Sequence, residues 1–260
     1  MSTVEEIRAK YRERKFATTQ VLRSNFALKA FLRTMYGWRK DLPEKERKEI
    51  SAKVDTLVKH PSGAWEALII AQTDACEPFE KIRKDSEKLL VSLAKSLPVW
   101  SEFGKDVFGF GPLSLAIIVA EAGDLSNYSD VGKLNKRLGL AVIDGIRQGG
   151  LKKGSKAEDW IEHGYNVQRR AAIWQAIALP MLMHVKRKPD LPYIKLYLER
   201  KEFELARDPE MTEAHANSRA RRYMEKRLLK DLWKAWRRDQ NGCVERSQCR
   251  FPDAEIAVAV

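Results

Sequence analysis

Residues Lys105–Gly123 read KDVFGFGPLSLAIIVAEAG. The centre, Gly109-Phe110-Gly111-Pro112, opens a nearly unbroken apolar run to Ala120. Glycine takes φ > 0 and lets a second backbone come close. Proline is preorganised for the first position of a helix. The pattern therefore predicts two helices meeting at a very tight turn. Such a turn leaves free N–H groups at a helix N-terminus, where a phosphate can sit. Gly109, Phe110 and Gly111 would form it, and the N–H groups of Gly111 and Leu113 would be the donors, since Pro112 has none. The same residues suit a close helix–helix contact, so both readings stand at this point.

Upstream, every segment reads as helix. Residues 4–40 carry Val21, Leu28, Leu32 and Met35 on one side, widened by Phe26, Ala30 and Phe31. Glu44–Lys59 is a second helix, with acid–base pairs at helical spacing. Two more, Ala64–Ala75 and Phe79–Lys95, are predicted on either side of Pro78. No β-branched alternation is long enough for a strand. Residues 1–96 are thus expected to form a helical hairpin or coiled-coil bundle, a connector or a homodimerisation element. Leu97-Pro98 marks the boundary, and Val99–Val107 reads as a short helix.

Downstream, Ser129 or Asp130 is a good N-cap for a basic helix, Val131–Leu138, that carries Lys133. Gly139–Gly154, GLAVIDGIRQGGLKKG, mixes glycines with Arg147, Lys152 and Lys153. It is too irregular for a Walker or dinucleotide fingerprint. It suits either backbone approach to phosphates or a short β-hairpin around Gly149-Gly150. Asn166–Lys186 opens with Arg169-Arg170, is interrupted by Pro180 and is apolar enough to be the central core helix. Leu191–Arg207 is amphipathic. The last helix, Thr212–Arg238, holds nine Lys/Arg against two acids from Arg219 onward. Its basic face takes Arg222, Lys226, Lys230, Lys234 and Arg237. Residues 239–260 read as a disordered tail.

Over the whole chain of 260 residues the formal net charge is +12, which favours a polyanionic partner. Three cysteines, Cys76, Cys243 and Cys249, make no disulfide framework and no zinc pattern. No metal site and no cofactor are read from the sequence. The charged N-terminus has no apolar signal region, and the run Pro112–Ala122 is too short to span a bilayer. A cytoplasmic protein without membrane partners is expected.

The order GFGPLSLAIIVAEAGDLSNYSDVGKLNKRLGL, a glycine-rich basic loop, GYNVQRRAAIWQ, then HANSRARRYMEKRLLKDLWKAWR resembles the C-terminal domain of the DEDD-class insertion-sequence transposases. The resemblance covers roughly residues 97–238. It implies a helix-hairpin-helix that grips duplex DNA backbone without reading sequence. It also implies a serine nucleophile in the loop after the Gly-Leu segment. Here Leu140–Gly154 contains no serine, and Ser155 is the nearest candidate. Family members carry a RuvC-like nuclease domain with four acidic metal ligands upstream, whereas residues 1–96 here read as helix throughout.

The sequence thus predicts an all-α protein: a bundle over 1–96, a transposase-like helical domain over 97–238, and a tail. The expected partner is double-stranded DNA, with structured RNA as an alternative. Gly109, Phe110, Gly111, Leu113, Lys133, Arg147, Lys152, Lys153, Arg169, Arg170, Arg222, Lys226 and Lys230 are the candidate contacts. The expected role is DNA binding in transposition or recombination, leaning away from an enzyme. The rivals are a serine-dependent recombinase that acts with a partner, and a structural or RNA-binding interaction module.

Overall fold

The computed structural model describes residues 2–240, with side chains through Arg238. The protein is all-α: about 75% of it is helical, and its sheet is a two-stranded ribbon. The chain forms two compact units. The first takes the residues through Ser96 together with Pro112–Gly123; the second takes Leu97–Gly111 and everything from Asp124.

In the first unit, α1 (Thr3–Met35) starts at Ser2, whose hydroxyl accepts from the Glu5 N–H while the Glu5 carboxylate accepts from the Ser2 N–H. This reciprocal cap satisfies two donors that a helix start leaves open. Helix α2 (Glu44–Lys59) follows, then α3 (Glu66–Ser96). Arg14 pairs with Glu87, Phe16 meets Phe79, and Phe31 meets Trp65. Partner numbers fall as α1 numbers rise, so α1 and α3 run antiparallel. Leu28, Leu32, Val54 and Ile69 form a buried cluster that holds α2 at the end of this pair. Of the stripe read on α1, Val21, Leu28 and Leu32 are buried, whereas Phe26, Phe31 and Met35 stay largely exposed.

Two expectations are corrected here. The segments flanking Pro78 are one helix, because the loss of one N–H is outweighed by continuous packing along α1. The apolar helix α5 (Pro112–Ala122) folds with the first unit and not with the segment before the glycine turn. A helix that is apolar all round needs cover on several sides. It finds that cover against α1 and α3, where Ser114, Leu115, Ala116, Ile118 and Val119 are buried.

The arm before the turn is also shorter than two equal helices require. Helix α4 (Pro98–Glu102) stops at Phe103, and a 3-10 turn covers Gly104–Asp106. A Cβ on Gly104 would lie 2.5 Å from the Trp100 ring, so the indole crosses the backbone only because position 104 is glycine. The first arm of the expected hairpin is therefore a brief helix and a 3-10 turn that lead into the Gly109 turn.

In the second unit, α6 (Val131–Arg137) is capped by Asp130, whose carboxylate accepts from the Lys133 N–H. Strands β1 (Val142–Ile143) and β2 (Ile146–Arg147) pair antiparallel. Their turn is Asp144-Gly145, both at positive φ (48° and 76°), the geometry that matches strand twist in a two-residue hairpin. The hairpin is thus centred five residues before Gly149-Gly150, where the sequence reading placed it. Helix α7 (Ala157–His163) leads to α8 (Val167–Ile173), a π-helical turn (Trp174–Ala178) and α9 (Leu179–Leu182). Pro180 has no N–H to return to the preceding turn, and the widened turn takes up the mismatch. Helix α10 (Pro192–Arg207) packs on α11 (Glu213–Gln240). Because α11 continues through Gln240, it takes in the first residues of the stretch read as a tail. The rest of that stretch, with Cys243 and Cys249, lies outside the described residues.

Helix α11 is the spine of this unit. Ala216, Ala220, Met224, Leu228, Leu229, Leu232 and Trp236 are buried along it. The Trp236 indole donates to Asp124 at 2.9 Å, and that of Trp233 donates to the Tyr128 carbonyl at 3.2 Å. Between α10 and α11 lies Glu204, 1% exposed, which accepts from Arg200, Arg207 and Arg219. Burial alone would raise its pKa. The hydrogen bonds from Arg219 and Arg200 and the arginine charges outweigh burial and hold it below the usual carboxylate range.

Two outcomes follow. Gly109 (φ 80°) would place a Cβ 3.3 Å from the Met181 backbone, whereas a Cβ on Gly111 meets nothing within 4 Å. Gly109→Ala should cost about 1–2 kcal/mol and Gly111→Ala close to nothing, as read by chemical denaturation. The second concerns pH. A depressed carboxyl pKa stabilises the fold above the usual carboxylate range and ceases to do so as pH falls through the folded value. Glu204→Gln should cost about 3 kcal/mol at neutral pH. It should also flatten the loss of thermal stability on acidification.

Candidate nucleic-acid interface

The hairpin is tied down from beneath by Gln148, which is 3% exposed. Its carbonyl accepts from the Ala141 N–H, and its amide donates to the Lys136 and His163 carbonyls. Backbone contact fixes the rest: a Cβ on Gly149 would meet the Tyr165 ring at 2.7 Å, and one on Gly150 would meet the Arg147 carbonyl at 2.9 Å. These glycines are therefore packing residues. They seat the ribbon on Tyr165 and so set the position of Arg147.

Helix α8 begins at Asn166, whose side chain caps the Arg169 N–H. One helical step on, Arg170 reaches α11 and makes two hydrogen bonds to Glu225. Glu225 is fully buried. Burial pushes its carboxyl pKa up, and the charge and hydrogen bonds of Arg170 pull against that shift. Arg221 and Arg222 flank Glu225 in sequence, and Lys226 follows it. The charges of Arg147, Arg170 and Arg221 all bear on Arg222.

Three cations, Arg170, Arg221 and Arg222, thus bear on one carboxylate that is already engaged by Arg170, and Arg147 and Lys226 in turn interact with Arg222. Arg222 is held below its ordinary pKa by burial and then by Arg147 and Arg170, with Glu225 opposing. Lys226 is lowered by burial and by Arg222. Among the described residues, Arg147, Arg222 and Lys226 make no ion pair or side-chain hydrogen bond. Two further donors, the Arg221 Nε–H and the Trp174 indole N–H, are buried with no protein acceptor. The Arg221 guanidinium lies 5.8 Å from the Trp174 ring. Charge surplus and unsatisfied donors therefore coincide, and an anion would relieve both.

The remaining candidates are distributed as follows. Lys152, Lys153 and Lys230 are exposed, the first two just beyond the hairpin and the third farther along α11. Lys133 is also exposed, but its ammonium donates to the Ser129 hydroxyl at 2.8 Å. Arg169 donates to the Arg137 carbonyl at 3.2 Å. Phe110 is buried beside Phe103 (ring centroids 6.4 Å apart), so its side chain is not a contact surface. Gly109 and Gly111 end the first segment of the second unit, while Leu113 belongs to α5 of the first. Ser155 sits in a turn where its N–H donates to the Lys152 carbonyl. Among the described residues, no three His, Cys, Asp or Glu side chains converge as a metal site would need.

Sequence reasoning found Arg147, Arg170, Arg222 and Lys226 but missed Arg221, Glu225 and Trp174. The signal for two of these was present: Arg221 and Glu225 stand four apart on a helix. Trp174 carried no signal, since an indole in an apolar helix reads as core.

Compared with protein-family models, with curated proteins and with solved structures, the chain matches none. The site rests on its own geometry, which has a measurable consequence. Glu225→Ala strips the carboxylate that Arg170 binds and that bears on Arg221 and Arg222. It should cost about 3–5 kcal/mol in chemical denaturation. A loss below about 1 kcal/mol would mean that Glu225 does not balance these cations.

Proposed function

We propose that the protein binds the backbone of duplex DNA, as the transposase lineage it resembles would require, and serves transposition or recombination. The supporting observation is the cluster of Arg170, Arg221 and Arg222 at Glu225, extended by Arg147 and Lys226 through Arg222, with the Arg221 and Trp174 donors buried and without a protein acceptor. Arg222, Lys226 and Lys230 extend the positive surface over ~12 Å of α11. Phosphates recur every ~3.4 Å of axis on each strand, so a run of that length meets several. Lys152 and Lys153 continue the charge beyond the hairpin. Contacts of this kind position a duplex without reading its bases. The scarcity of cysteine fits the reducing setting of a cytoplasmic protein. No described helix is long and apolar enough to cross a membrane.

The test is fluorescence anisotropy of a labelled duplex across a salt series. The log of the binding constant should fall linearly with the log of salt, by about 0.9 per phosphate contacted. Arg222→Gln and Lys226→Gln should each weaken binding for all sequences alike. Each should also reduce the slope by about one, with helicity retained. A salt-independent or undetectable interaction would overturn the proposal.

A further inference from the structure

On the α10–α11 face, around the Glu204 network, aromatic rings and guanidinium groups form a connected set. The Arg200 guanidinium lies 4.8 Å from the centroid of the Phe203 ring and 5.0 Å from that of Tyr223. Arg207 lies 5.7 Å from the same Phe203 ring. The order Tyr223, Arg200, Phe203, Arg207 thus alternates ring and cation. Both rings are exposed to solvent, Phe203 by 47% and Tyr223 by 40%. An exposed phenylalanine between two arginines on a helix surface contributes nothing to the core.

Beneath this set, Glu204 fixes the cations. One carboxylate oxygen accepts from Arg200 through both Nε and a terminal nitrogen; the other accepts from Arg207 and Arg219. Three guanidinium groups are therefore immobilised around one buried carboxylate, and a positive charge remains on a rigid, partly aromatic surface. The nearby Glu213 is taken by Lys201. Arg219 and Tyr223 lie on the same helix, one turn apart, with Arg222 between them and Lys226 within the next turn. The set therefore continues into the basic run of α11.

We infer that this face of α10 and α11 binds unpaired nucleobases of a single strand, whose phosphates lie along the α11 cations. Every base offers a π-face to an aromatic ring or a guanidinium plane, whereas a paired and stacked base in a duplex does not. A purely phosphate-binding surface needs the arginines but has no use for exposed Phe203 and Tyr223. The inference deepens the nucleic-acid reading by assigning a second contact that only unpaired bases satisfy, as at a strand end or an opened segment.

The probes are labelled oligothymidylate and oligouridylate of about fifteen nucleotides, and a duplex of equal length, each titrated with the full chain. Phe203→Leu and Tyr223→Leu keep an apolar side chain at an exposed position and remove the π-face. Each should weaken oligothymidylate binding roughly tenfold or more and leave duplex binding unchanged. Arg207→Lys keeps the charge, loses the plane and should behave in the same way. Oligouridylate tells whether the sugar is discriminated: equal binding indicates base stacking on either backbone, and a preference assigns the strand type. Duplex binding without oligothymidylate binding, or single-strand binding indifferent to all three substitutions, removes this inference alone. No binding to any probe removes it together with the duplex reading.

Discussion

Two buried carboxylates, Glu204 and Glu225, govern the second unit. Each is almost or wholly inaccessible; Glu204 binds arginines of both α10 and α11, and Glu225 binds Arg170 of α8. A charge removed from water is costly unless it is paired and hydrogen-bonded. Glu225 meets that condition by holding Arg170 of α8 against α11. Glu204 meets it by gathering Arg200 and Arg207 of α10 with Arg219 of α11. The polar network and the apolar spine of α11 therefore specify the same packing. Leu228, Leu232 and Trp236 bury one side of the helix, and the carboxylates lock the angle at which α8 and α10 meet it. Guanidinium suits this use, since its planar fork can serve a carboxylate and an aromatic face together.

Much of the fold was legible because its signals are local. The bounds of α2, the cap read at Ser129 or Asp130 and the amphipathic stretch Leu191–Arg207 follow from periodicity and capping chemistry. What escaped depended on partners distant in sequence. Pro78 looks like a break until α1 runs alongside it. The Gly-x-Gly-Pro pattern is a real tight turn, with Gly109 at positive φ, but its spacing cannot say that α5 departs to pack with α1 and α3. The glycine-rich loop was read correctly as a possible hairpin and centred on the wrong pair. Asp144-Gly145 carries the turn, whereas Gly149 and Gly150 are dictated by the ring of Tyr165, sixteen residues beyond Gly149.

The site was legible in a similar, partial way. Composition names the basic residues, and helical spacing arrays them along α11, but neither tells which cations are solvated singly and which are forced together. Lys133 and Arg169 looked equivalent to Arg147 and Arg222 as letters. In the fold the first two find acceptors nearby, and the last two meet other cations. Arg200, Phe203 and Tyr223 were invisible as a group because they belong to two helices. Each by itself reads as an ordinary member of an amphipathic pattern.

A stability argument alone does not account for that arrangement. Surface lysines and arginines serve solubility when they extend into water, where salt screens them. Arg222 and Lys226 are instead half-buried, with pKa values pulled down by that burial and by their neighbours. The Arg221 and Trp174 donors add the cost of buried groups left unpaired. A fold selected for stability would replace several of these side chains by apolar ones at little loss of packing. Their grouping on one scaffold, with Gln148 and Tyr165 seating the ribbon that carries Arg147, is what the proposed phosphate contact would use. A phosphate supplies both the missing charge and acceptors for the open donors. On the proposed reading that cost would be offset when an anion binds, which is the physical basis for proposing an interface here.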